Sequence, residues 1–159
     1  MFCLHLRDIH LVCIINVLCD FYTIDKIYKR DYVIYNIKSG VAKLFDVIFY
    51  SDKDGDKPVR EFIKSLDVKL RAKVVSDLHR LEMLGNDARE PLSKYIGNHI
   101  FELRTILGGN IVRILYFFDA NEIIVATNGF VKKQQKTPRS EILLAMHRRA
   151  EYFNRKMGL

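Results

Sequence analysis

From His99 to Phe130 the chain has room for short strands and tight turns, and for little else. "HIFELRT" (99–105) alternates, with His99, Phe101 and Leu103 opposed to Ile100, Glu102 and Arg104. A two-residue period is that of a strand with two distinct faces. "LGGN" (107–110) is hairpin-turn chemistry, because paired glycines accept the positive φ that tight hairpins need. "IVRILYFF" (111–118) is an apolar run broken by one charge, Arg113. "DANE" (119–122) makes a second turn and "IIVATNGF" (123–130) a third strand. Three antiparallel strands in a meander follow.

The flanking segments add helices. "KLFDVIFY" (43–50) reads as a strand and "SDKDGDK" (51–57) as a turn. Pro58 suits the first turn of a helix over 58–66. Asp67 is placed to cap a second helix. Its Leu70, Val74, Leu78, Leu81 and Leu84 form one apolar stripe, and Gly85 ends it. Residues 86–98 read as a loop with room for one helical turn. Thr137 is placed to cap a last helix, with Pro138 at its first position. Ile142, Met146, Ala150 and Phe153 form its stripe, with Leu143 beside them. The order strand, helical hairpin, three strands, helix predicts an α+β domain with helices on one face of a mainly antiparallel sheet.

Length and charge bound the rest. At 159 residues, with 49% hydrophobic side chains, one domain with an ordinary core is expected. Residues 1–42 carry no chemical motif, and the expectation is an amino-terminal extension, from an upstream start codon, outside the working fold of 43–159. The apolar run "LVCIINVLC" (11–19) is too short to span a membrane. Cys3, Cys13 and Cys19 are odd in number and clustered, which does not read as a disulfide framework. The five histidines lack metal-ligand spacing. A reducing, cytoplasmic setting and neither metal nor cofactor are expected. Of the net charge of +7, +6 falls after Phe130, where eight basic residues meet two acidic ones. A polyanion or an acidic protein is the natural partner for such a segment, and a solvated helix face is the plain alternative.

Candidate chemistry collects where the sheet meets that segment. Glu102 and Arg104 are two apart and share a face. A hairpin turning at Gly108–Gly109 brings Arg104 and Arg113 together across the strands. A lone arginine in an apolar strand is either paired or exposed, since burying it alone costs several kcal/mol. The expectation is an open concave surface of Arg104, Arg113, Lys132, Lys133 and Lys136 with Glu102 beside it and Phe130 as an aromatic platform. Guanidinium groups suit phosphates, and aromatic rings suit unpaired bases. A plain structural ion pair between Glu102 and either arginine is the competing reading.

These residues also carry a resemblance. "ELR" (102–104), "RILYF" (113–117) and "GFVKKQQKTPRSEILLAMHR" (129–148) resemble the phage-derived HigB branch of the RelE/ParE toxin superfamily, over about Lys43 to the carboxyl end. The resemblance implies a RelE-like fold and a cytoplasmic toxin held inactive by a HigA-like helix-turn-helix antitoxin. It implies metal-independent cleavage of messenger RNA on the ribosome, by attack of the ribose 2′-hydroxyl on the adjoining phosphorus. Arg104 and Arg113 would then meet the phosphate. Lys132, Lys133, Lys136 and Arg139 would meet RNA or ribosome, with Lys133 a candidate acid. For the base, Glu102, a lysine, His79, His99 and His147 all stay open. A ParE-like inhibitor of DNA gyrase and an inert basic binding module are the competing classes.

Overall fold

The computed structural model describes residues 45–120, 122–132 and 136–158. The expectations for residues 1–42, including the three cysteines, and for Lys133 lie outside the described residues. Strand β1 (Asp46–Phe49) is followed by helices α1 (Pro58–Ser65) and α2 (Val68–Leu84). Strands β2 (Ser93–Gly97), β3 (Ile100–Leu107), β4 (Asn110–Asp119) and β5 (Ile123–Val131) come next, and α3 (Arg139–Met157) closes the chain. The sheet order is β1-β5-β4-β3-β2. Among the described residues, only the β1–β5 pairing is parallel. The α+β class, the amino-terminal strand, the helical hairpin and the carboxyl-terminal helix stand as the sequence indicates.

Local chemistry accounts for most boundaries. Pro58 opens α1, where its missing N–H costs nothing. The Asp67 carboxylate accepts from the backbone N–H groups of Lys69 and Leu70, satisfying two donors that α2 would otherwise leave bare. Gly108 and Gly109 take φ of 55° and 84° in the β3–β4 turn, values that side chains resist.

Two expectations are corrected. The segment read as a loop over 86–98 contains β2, which hydrogen-bonds to β3 through a turn at Asn98 and His99, with φ of 52° and 60°. The meander therefore has four strands. The missed signal is an asparagine at a left-handed hairpin corner, where its short polar side chain lowers the cost of positive φ.

The helices also cover both faces of the sheet, not one. Phe62 of α1 packs where a Cβ on Gly129 would point, and Gly129 pairs with Ile114 of β4. On the same side Phe45 meets both Phe118 and Gly85 at the end of α2. On the opposite side Phe117 meets Tyr152 and Phe153 of α3. The physical reason lies in β4. Leu115 and Phe117 point away from α1 and α2, and both are fully buried, so an apolar stripe must cover them. Ile142, Ala145, Met146, Tyr152 and Phe153 supply it. Ala145 lies at the centre of that stripe, while Leu143 is 52% exposed and Ala150 faces solvent.

Candidate functional site at the β3–β4 hairpin

Arg104 and Arg113 stand directly opposite each other in the β3–β4 register. Side chains of directly paired residues leave the same face, so the two guanidinium groups converge as the spacing requires. Glu102 lies two residues before Arg104 and joins them. Its Oε1 accepts from Arg104 Nε at 2.6 Å, and its Oε2 lies 3.1 Å from Arg113 Nη1. The Thr137 hydroxyl completes the cluster by donating to Glu102 Oε2 and accepting from Arg113 Nη1.

Burial differs sharply among these groups. Glu102 is 0% exposed and Arg113 4%. The Arg104 side chain keeps 23% of its surface, and its Nη1 reaches Glu90 Oε2 at 3.1 Å. The expected open face is thus closed over Glu102 and Arg113 and open at Arg104. The cause is Thr137. Instead of capping α3, its hydroxyl is spent on the ion pair, and α3 begins after Pro138 without a side-chain cap. Thr137 thereby becomes a cover for the buried pair.

The remaining candidates sort by exposure. Lys136 and Arg139 face solvent, and Lys132 is half-buried. The Lys132 backbone N–H donates to the Ile111 carbonyl, which holds this lysine beside the hairpin. Phe130 pairs with Arg113 and is partly buried against the Leu115–Phe117 core. It is a packing residue in this state, not a free platform for a base. Among the histidines, His79 contacts Glu82 within α2, His99 sits at the β2–β3 turn, and His147 is an exposed neighbour of Glu151 on α3.

Much of the +6 segment is engaged within the molecule. Arg148 donates to the Thr127 carbonyl at 2.9 Å, beside the β-bulge that interrupts β5. Arg148 and Arg155 stack on the Tyr50 ring at 5.4 and 5.2 Å. Arg149 lies 4.9 Å from the Phe153 ring centre. Lys156 bonds Asp119 at 2.6 Å. Among the described residues, Lys136 and Arg139 are the exposed cations that flank Thr137, while Arg155 and Lys156, also exposed, are drawn to Tyr50 and Asp119. Composition counts these cations but does not say which of them rings and carbonyls occupy.

Glu90 was missed by sequence reasoning. It lies in the segment read as a loop with room for one helical turn, and no periodicity marks it. Its relation to Arg104 exists only once β2 is laid beside β3.

No curated protein matches the chain. The sequence model described as phage-derived protein Gp49-like (DUF891) matches residues 61–150, which include both arginines, Glu102, Thr137 and most of the two outer helices. A buried carboxylate clamped between paired arginines, with lysines leading into a closing helix, thus sits inside the matched span, and the chain belongs to the Gp49-like family, a family of RelE/HigB-type toxins.

Proposed function

We propose that this chain is the toxin of a toxin–antitoxin pair and acts as a metal-independent endoribonuclease on messenger RNA in the ribosome. The observation that carries the reading is the position of Arg104. It is a guanidinium fixed from behind by buried Glu102, with part of its surface open to solvent. A fixed, partly desolvated guanidinium favours a phosphate whose negative charge grows during reaction. In the reaction, the 2′-oxygen bonds to phosphorus, the bond to the 5′-oxygen breaks, and a 2′,3′-cyclic phosphate and a 5′-hydroxyl result. Arg104 meets the phosphate. Arg113, buried behind Glu102, holds that carboxylate in place and offsets its charge. Lys132, Lys136 and Arg139 bind the RNA backbone or ribosomal RNA, with Lys133 as a further cation and candidate acid. The action is cytoplasmic, where ribosomes are, and a HigA-like helix-turn-helix antitoxin is the partner that silences it.

The test is inducible expression of the full chain and of Arg104→Ala. The native chain arrests growth. Arg104→Ala relieves the arrest while staying folded, with cleavage slowed by about 10²–10³-fold, the scale for losing one preorganised charge stabiliser. Arrest of equal strength from both chains contradicts the assignment.

A further inference from the structure

The ribonuclease reading leaves the base that takes the 2′-proton unassigned, and the geometry now separates the candidates. Glu102 cannot reach a hydroxyl. It is fully buried, and both oxygens are held by Arg104, Arg113 and Thr137. His99 sits at the β2–β3 turn, before β3 begins, and the four residues from the start of β3 to Arg104 alone span about 13 Å at a strand's rise. His79 belongs to α2, which packs on the opposite face of the sheet, and His147 stands on α3 beside Glu151.

One other carboxylate touches Arg104 among the described residues. Glu90 Oε2 lies 3.1 Å from Arg104 Nη1, and its side chain is 59% exposed. Lys94 of β2 approaches its other oxygen at 3.4 Å. The neighbouring Arg89 is turned back on its own loop, donating to the carbonyls of Asn86 and Ala88. Around Glu90 the charged groups are therefore Arg104, with Glu102 behind it, and Lys94. One edge of Arg104 faces Glu102, and its outer edge is shared by Glu90 and solvent.

We infer that Glu90 is the general base of the proposed cleavage. A phosphodiester bound at the outer edge of Arg104 lies next to the Glu90 carboxylate, with its ribose 2′-hydroxyl on the adjoining nucleoside. The proton passes from the 2′-oxygen to Glu90 as the oxygen–phosphorus bond forms. The departing 5′-oxygen takes its proton from a solvent-side donor, so charge and atoms balance. Arrival of the phosphate draws Arg104 away from Glu90 and leaves the carboxylate oxygen free to accept from the hydroxyl. This inference rests on the ribonuclease reading.

The experiment uses the purified full chain, ribosomes programmed with a short message, and the variants Glu90→Gln and Glu90→Ala. Single-turnover cleavage is followed as a function of ribosome concentration. Glu90→Gln lowers the saturating rate by about 10²-fold or more, the scale of a lost general base, and leaves the half-saturating concentration within about threefold. Added formate restores part of the Glu90→Ala rate, because a small carboxylate fills the vacated place, and does not quicken the native chain. A Glu90→Gln rate within about threefold of native overturns the base while leaving the ribonuclease reading intact. A loss confined to half-saturation, or one that formate does not recover, also overturns it and makes Glu90 an anchor for Arg104. A native chain that makes no cut removes both readings together.

Discussion

Glu102 has a guanidinium on each side and a hydroxyl across one oxygen, with Glu102 and Arg113 closed to water and Arg104 partly open. An isolated carboxylate or guanidinium there would be prohibitive, and the cluster stands because each charge is answered. Glu102→Gln keeps the shape and removes the negative charge that faces buried Arg113. The expected outcome is a clear loss of stability, seen as an earlier urea midpoint with unchanged slope. Thr137 allows a finer comparison, because its hydroxyl both donates and accepts. Thr137→Val should cost about 1–3 kcal/mol through unsatisfied buried partners, and Thr137→Ser should recover most of it. Equal stability of the Val and Ser variants would show that the hydroxyl is not what binds the cover. The sequence exposed the arginine pair through arithmetic, since a hairpin centred on Gly108–Gly109 leaves little freedom in register. Thr137 was misread because a threonine before proline is good capping chemistry in isolation, and only the tertiary neighbour Glu102 outcompetes the helix for its hydroxyl.

At the scale of elements, the sheet is fixed by close approaches as much as by hydrogen bonds. A Cβ added to Gly129 would lie 2.4 Å from Phe62 Cδ1, inside the contact between β5 and α1. Gly129→Ala should therefore destabilise by about 1–3 kcal/mol through overpacking. Phe62→Leu in the same chain should recover part of that loss, so the two costs measured by urea unfolding fall short of additive. Strands β3, β4 and β5 and helices α1 and α2 were legible because periodicity and end signals agree over each segment. β2 was not, since it is five residues long and its pairing partner, not its own pattern, makes it a strand. The placement of α3 on the second face was also hidden. Alternation shows that β4 has two apolar sides but does not say which element covers each.

For the whole molecule, tyrosines tie the layers together and set an alkaline limit. Burial pushes the hydroxyls of Tyr50, Tyr116 and Tyr152 up to about 12. Tyr116 shares a hydrogen bond of 2.6 Å with Ser93, Tyr50 donates to Glu151, and Tyr152 donates to Asp119. A folded-state value above the unfolded one means that the neutral form is favoured in the fold. This contribution is complete below the ordinary tyrosine range near pH 10 and is lost as pH rises towards 12. Stability, read as the urea midpoint against pH, should fall through that window, and less steeply in Tyr116→Phe. An equal fall in both chains would contradict the role given to Tyr116. The same layering places β3 and β4 between two helical covers and leaves Arg104 partly open to solvent, which is the basis of the functional reading. The most direct measurement is primer extension on a message translated by purified ribosomes, with the native chain and Arg104→Ala side by side. The account predicts discrete cuts within the translated region from the native chain, and cuts weakened by about 10²–10³-fold from the variant. An intact message with both chains, or equal cutting by both, would contradict it.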